Sequence, residues 1–227
     1  MKTYRFLHDG RIAESHEVPS GATLLPPVTP SKIVCVGRNY ADHAKELGNE
    51  APSEPILFLK PPSAVLAPGG TIVRPAASQR VDFEGELAIV IGRTAKDVRA
   101  GAWRDYVRGF ACANDVTARD LQRKDVQFTR GKSFDTFCPL GPCIEDDLDV
   151  SDLRVTTRVN GETRQDGRTS QMIFPPGVML EFITGIMTLV PGDVILTGTP
   201  SGVGPLAAGE TVEVEIEGIG VLTNVVA

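Results

Sequence analysis

The sequence predicts an α+β fold that is predominantly β, with short helices set among many short strands. Three observations carry this. Gly 23 and Pro 17 in 227 residues exceed the roughly 12% that the pair makes up in average proteins, which demands frequent turns. Short apolar or alternating runs recur between those turns. One of them, Val81 to Gly92, has three acids at alternate positions running into the unbroken apolar stretch Leu87 to Ile91. That stretch has no polar face, so it reads as a strand buried on both sides. With 41% hydrophobic and 23% charged residues the chain can bury a full core, as one sandwich- or barrel-type domain or as two small ones.

Taken in order, Tyr4 to Leu7 and Ile12 to Glu17 flank Asp9-Gly10, the signal of a β-hairpin. Pro26-Pro27-Val28-Thr29-Pro30 is a stiff link. Residues 1–30 therefore read as a hairpin extension with a linker, and residues 31–227 as the main body. Lys32 to Gly37 reads as a buried strand, and Arg38 to Gly48 as a short helix capped by Asn39 and closed by Gly48. Pro55 to Leu59 is a strand with Lys60 at its end, and Pro68-Gly69-Gly70-Thr71 is a turn. Lys96 to Tyr106 reads as a short helix with Trp103 in the core, and Val107 to Ala113 as an apolar strand that delivers Asn114-Asp115 at its tip. Val116 to Gln122 looks like a helix start. Leu153 to Val159 alternates into Asn160-Gly161, a two-residue hairpin turn. Val178 to Met187 reads as a helix apolar on most faces and hence buried. Val194 to Leu196 runs into Thr197 to Gly204, a glycine-rich turn whose hydroxyls and N–H groups suit a carboxylate. Thr211 to Ile216 points Val212, Val214 and Ile216 inward, and Gly218-Ile219-Gly220 turns it into a final strand.

The candidate chemistry gathers on these elements. On one strand Asp82, Glu84 and Glu86 would share a face. Carboxylates heading a buried strand need a neutralising partner, for which a cation is the natural candidate; a solvated acidic face is the plainer alternative. Asp115 is a second acid at the tip of a buried strand. His43 and Glu46 stand three residues apart on one helical face, where the carboxylate orients the imidazole and favours its protonated form, as a general base requires, or forms an ordinary exposed ion pair. Lys132 sits in a short Gly-bounded segment and reads equally as a surface lysine.

Composition excludes several classes. The net charge is -6 and no Lys/Arg cluster suggests nucleic acid or an anionic membrane as partner. No segment approaches the length of a membrane span, and the first residues do not resemble a signal peptide. Cys35, Cys112, Cys138 and Cys143 form no C-x-x-C pair, which favours reduced, buried thiols in a cytoplasmic protein. With His8, His16 and His43 as the only histidines, a His/Cys zinc site is not expected.

Several segments together resemble the fumarylacetoacetate hydrolase family: Val36 to His43, Phe58-Leu59-Lys60-Pro61, Asp82 to Leu87, Asn114 to Asp120, Gly131 to Asp135, and Leu196 to Gly204. Each is weak alone; their number and order are specific. The resemblance is to the short acylpyruvase-like and decarboxylase/isomerase-like branch. It implies a mixed β-sandwich roll, usually a homodimer, with one Mg²⁺ or Mn²⁺ per chain on Glu84, Glu86 and Asp115 and with Asp82 behind them. It also implies a 2-oxo acid as the small-molecule substrate. Lys132 would stabilise its developing oxyanion, and His43 with Glu46 would activate water from a helix that acts as a lid. Arg38, Gln122 and Thr199 would hold the substrate. The expected reaction is hydrolysis of a C–C bond in an acylpyruvate- or fumarylpyruvate-like acid. Decarboxylation or isomerisation of a dicarboxylic 2-oxo acid, and catalytically silent metal or ligand binding, are the alternatives.

Overall fold

The run Leu87 to Ile91 lies in the middle of the molecule, as its lack of a polar face requires. The computed structural model describes residues 1–46, 48 and 50–227. Its principal feature is a 10-stranded sheet. The strand Gly85–Ile91 is flanked by Val107–Asn114, antiparallel, on one side and by Val194–Leu196, antiparallel, on the other. Ile33–Gly37 pairs in parallel with Val194–Leu196, and Ile56–Lys60 closes that edge. On the other side Cys138–Glu145 follows Val107–Asn114 and pairs with Lys2–His8, so the hairpin Lys2–His8/Arg11–Ser15 continues this sheet.

Strand alternation divides the core. Val34, Val36, Leu87, Ile89 and Ile91 belong to one cluster, while Ile33, Cys35, Ala88 and Val90 belong to a second. The first cluster also contains Val155, Val214, Ile216 and Leu222 of a 5-stranded sheet, together with Met179, Leu180 and Ile183 of the helix Pro176–Ile186. Two sheets therefore share one apolar layer, the arrangement of a β-sandwich. The hairpin Arg154–Val159/Glu162–Arg168 turns on Asn160 and Gly161 with φ 52° and 80°, the turn its sequence demands. All four cysteines are free and buried. Among the described residues no helix is long and apolar enough to cross a membrane.

Five local expectations are corrected. The strand Val81 to Gly92 is not continuous: Val81–Phe83 belongs to a separate 3-stranded sheet with Thr117–Ala118 and Gly204–Pro205, and the strand is interrupted at Glu84. The helix expected over Arg38 to Gly48 covers Ala41–Glu46, and Leu47 lies outside the described residues. Asn39 does not cap it; its amide is buried, donating to the carbonyls of Phe174 and Thr197 and accepting from Phe174 N–H. The helix Pro176–Ile186 buries one face only, since Val178 and Ile186 are exposed at 40% and 58%. The segment expected as a helix from Lys96 becomes a 3₁₀ turn over Ala100–Tyr106.

One acid away from the site anchors the sheet. Asp193, at the start of Val194–Leu196, accepts hydrogen bonds from Ser31 N–H and Oγ, from Lys32 N–H and from Val190 N–H, and pairs with Lys32 Nζ. Although burial works against its charge, these partners hold its carboxyl below the ordinary 3.8. The stability it contributes is therefore complete above that value and disappears as pH falls through the lower folded one. Asp193→Asn should cost about 2 kcal/mol at neutral pH. Melting temperatures of variant and parent should converge in acid; a deficit that persists unchanged below pH ~2 would show that packing, not the charge, is lost.

Candidate active site

The register of two strands assembles the acids. Asn114 pairs with Gly85, which places Asp115 opposite Glu84. Asp115 N–H donates to Glu84 O (2.8 Å), and Glu84 N–H donates to the Asn114 side chain (2.9 Å). No side chain fits at residue 85, because a Cβ there would lie 2.1 Å from Thr157 Oγ1. Glu84, Glu86 and Asp115, separated in sequence, thus offer oxygen atoms within 4.8 Å of one another, all three buried.

The surrounding cations are distributed unevenly. Lys132 Nζ donates to Glu84 Oε2 (2.8 Å) and to Asp115 Oδ2 (2.6 Å). Lys60 Nζ, at the end of its strand, reaches Asp115 Oδ1 (2.5 Å) and Val116 O (3.1 Å). Arg119 bonds Asp82 (2.9 Å), Glu84 (2.5 Å) and Gln122 Oε1 (2.7 Å). Asp82 also meets Arg80, so it stands behind the cluster as a partner for arginines. Glu86 receives Gly198 N–H (2.7 Å), but among the described residues no cation is paired with it. Burial works against the charge of Glu84, yet Lys132, Arg119 and His43 outweigh it and hold that carboxyl far below its ordinary range. Burial raises the Glu86 carboxyl well above its own, and Asp115 and Glu84 raise it further against a partial offset from Lys132. One uncompensated carboxylate among three converging oxygen donors, with no thiolate or imidazole in the group, fits a hard divalent cation such as Mg²⁺ or Mn²⁺.

A cavity of ≈ 310 Å³ opens over this cluster, lined by the three acids together with Arg38, His43, Gln122, Lys132 and Thr199. His43 is 4% exposed, so it is not half of a solvated ion pair. Its Nδ1 lies 3.3 Å from Glu46 Oε2, which leaves Nε2 for a ligand. The Gln122 carbonyl is taken by Arg119, leaving its NH₂ group free to donate. Thr199 uses its hydroxyl proton on Gly85 O (2.8 Å), so that oxygen can only accept. The N–H groups of the glycine-rich turn do hold carboxylates, but the protein's own: Gly198 binds Glu86 and Gly202 binds Glu46. Phe58 and Phe128 meet edge to face (centroids 5.6 Å apart) and give the cavity an apolar wall, with Lys132 Nζ 5.1 Å from the Phe58 ring centre.

Sequence reasoning assigned no role to Lys60 or Arg119, nor to Gln165, whose buried amide accepts Gly85 N–H. Lys60 and Arg119 carry a readable signal, basic residues inside apolar or acidic segments; Gln165 on an exposed polar strand carries none.

The model of the fumarylacetoacetate hydrolase C-terminal domain matches residues 32–227. The chain belongs to the fumarylacetoacetate hydrolase family. It is 46% identical over 218 residues to the mitochondrial oxaloacetate tautomerase FAHD2A of Homo sapiens, covering 90% of this chain and 69% of that protein. It superimposes on the crystal structure of 5-carboxymethyl-2-hydroxymuconate delta-isomerase from Mycobacterium smegmatis with a TM-score of 0.92 at 45% identity, over 100% of this chain and 98% of that one. Fumarylpyruvate hydrolase from Pseudomonas aeruginosa, solved with Mn²⁺ and pyruvate, superimposes with a TM-score of 0.82 at 30% identity, over 94% and 99%. The family is enzymatic, and its members here include hydrolases, isomerases and a tautomerase.

Proposed function

We propose that the chain is a divalent-metal-dependent enzyme that moves a proton next to the 2-oxo group of a small dicarboxylic 2-oxo acid, interconverting its keto and enol forms or isomers. The observation that carries this is the buried His43, oriented by Glu46 and sharing one small cavity with Lys132 and the three acids. Glu84, Glu86 and Asp115 would hold Mg²⁺ or Mn²⁺, one per chain, and the bound cation would supply Lewis-acid polarisation of a chelating 2-oxo acid. His43 Nε2 takes a proton from the carbon beside the oxo group and returns it elsewhere on the substrate, while Glu46 at Nδ1 stabilises the imidazolium. Lys132 places positive charge where negative charge develops on oxygen. Gln122 donates to the substrate from its NH₂ group, and Thr199 shapes the wall. The relatives at 45–46% identity named as isomerase and tautomerase support this order of readings.

A second carboxylate on the substrate is suggested by two arginines in the cavity wall. Arg38 and Arg123 line it, and among the described residues neither guanidinium is paired with a carboxylate. Arg38 has φ 57°, a left-handed conformation that costs a non-glycine residue about 1 kcal/mol, so its side chain is placed there at the expense of the backbone. Arg38→Asn, which tolerates that conformation, should leave the melting temperature within a few degrees. It should raise KM for a dicarboxylic substrate by about 10–100-fold, the equivalent of one charged hydrogen bond, and leave a monocarboxylic analogue nearly unaffected. Equal effects on both would remove Arg38 from distal recognition.

Hydrolysis of a C–C bond in an acylpyruvate- or fumarylpyruvate-like acid is the second reading, because a carboxylate-oriented histidine also suits activation of water. A panel of oxaloacetate, a hydroxy-dienedioate, an acylpyruvate and fumarylpyruvate, assayed with Mg²⁺ and Mn²⁺, separates the two. Keto–enol or isomer interconversion without loss of carbon is expected. Pyruvate release from the acylpyruvate or fumarylpyruvate, with interconversion no faster than in buffer, would favour hydrolysis, and CO₂ release from oxaloacetate would favour decarboxylation; binding without turnover would mean a silent ligand-binding protein. The homodimer, the cytoplasmic setting and the division into an extension over 1–30 and a catalytic domain over 31–227 are retained as part of this proposal.

A further inference from the structure

Gln165 lies in the strand Glu162–Arg168, where most side chains face solvent, yet it is fully buried. An amide in that position needs partners for each of its polar atoms. Its Oε1 accepts from Gly85 N–H (3.0 Å), and its Nε2 donates to Thr199 Oγ1 (2.7 Å) and to Pro200 O (2.8 Å). The orientation of the amide follows from these partners, since the reverse would set NH₂ against an N–H and oxygen against a carbonyl.

Both ends of residue 85 are thereby tied, because Thr199 Oγ1 donates to Gly85 O. Gly85 sits between Glu84 and Glu86, so this bonding fixes how the two carboxylates are presented. The other arm of the amide holds the turn that follows Thr199. That turn lies flush on the strand of Gln165: a Cβ on Gly202 would come 2.1 Å from Arg164 O, and one on Gly167 would come 2.5 Å from Pro200 Cβ. Gly202 N–H, in turn, donates to Glu46, which orients His43.

We infer that Gln165 is a positioning residue that sets the acid cluster and the His43–Glu46 pair at a fixed distance from each other through the loop Thr197–Gly204. The inference rests on the function proposed above. Its physical basis is that a displacement of about 1 Å between a base and the group that polarises its substrate costs on the order of 10²-fold in rate.

Two variants test it. Gln165→Met keeps the length and loses all three bonds; Gln165→Glu keeps the acceptor for Gly85 N–H and loses the donors. With native circular dichroism in both, Gln165→Met should weaken Mn²⁺ binding about 10-fold or more, the effect usual for residues that orient metal ligands, and should shift the His43 ring resonances in NMR spectra. Gln165→Glu should leave Mn²⁺ affinity within about threefold of the parent, shift the same His43 resonances and lower kcat by about 10²-fold. Unchanged His43 resonances in both variants, or losses that merely track the melting temperature, would overturn the inference. If the parent binds no Mn²⁺ and turns over no 2-oxo acid, the proposed function fails. The His43 resonances, which need neither metal nor turnover, then still support the coupling if they shift and overturn it if they do not.

Discussion

Glu86→Gln is expected to abolish Mn²⁺ binding and turnover together while making the metal-free protein more stable. A neutral amide is a poor replacement for a carboxylate ligand to a hard cation. The stability change has the opposite sign because of where the charge sits. Burial, Asp115 and Glu84 raise the Glu86 carboxyl above its ordinary 4.5. Below that value both folded and unfolded chains carry the proton and nothing is lost. As pH rises from there through the folded value, the unfolded chain ionises more readily and stability falls. Glutamine mimics the protonated form, so its advantage should grow with pH and reach on the order of 1 kcal/mol at neutrality. Adding Mn²⁺ at about 100 times its dissociation constant should reverse the ranking, since the parent alone gains roughly 2.7 kcal/mol by linkage. Melting curves of both proteins with and without Mn²⁺, at pH ~5 and ~8, read all of this. A variant that retains Mn²⁺ affinity, or melts below the parent at neutral pH without metal, would remove Glu86 from the cation site.

His43→Ala should leave Mn²⁺ affinity nearly unchanged, because the imidazole is not among the three converging ligands. It should lower keto–enol interconversion by about 10²–10⁴-fold, the usual range for a positioned general base. Glu46→Gln should reproduce part of that loss, since among the described residues Glu46 bonds His43 and Gly202. Hydrolysis of an acylpyruvate, measured beside interconversion, decides the role. If hydrolysis collapses while interconversion survives, His43 activates water and the hydrolytic reading takes precedence. If neither changes, His43 has no part in the chemistry despite its burial.

Much of this molecule is legible residue by residue. The apolar run Leu87 to Ile91, the Asn160-Gly161 turn and the alternation of Thr211 to Ile216 each state their own conformation, and each is found as written. Glu84, Glu86 and Asp115 are legible as acids at the ends of buried strands, and the order of the motifs identifies the family. Where the reading failed, a long-range contact overrode a local pattern. The alternation of Asp82, Glu84 and Glu86 promises one continuous strand, but Asp82 pairs with Thr117 in a second sheet, where its carboxylate meets Arg119. Asn39 has the sequence of a helix cap and is instead spent on carbonyls far along the chain.

By itself, then, the sequence determined the elements, the buried central strand and the identity of the acids, because side-chain period and turn chemistry act between neighbours. Only the tertiary structure decided which cation serves which acid and which acid is left without one. Lys60 meets Asp115 across 55 positions, Arg119 meets Asp82 across 37, and Gln165 meets Gly85 across 80. No local pattern encodes those separations. They follow from sheet register, which places Asp115 opposite Glu84, and from the obligation of every buried polar group to find its partner.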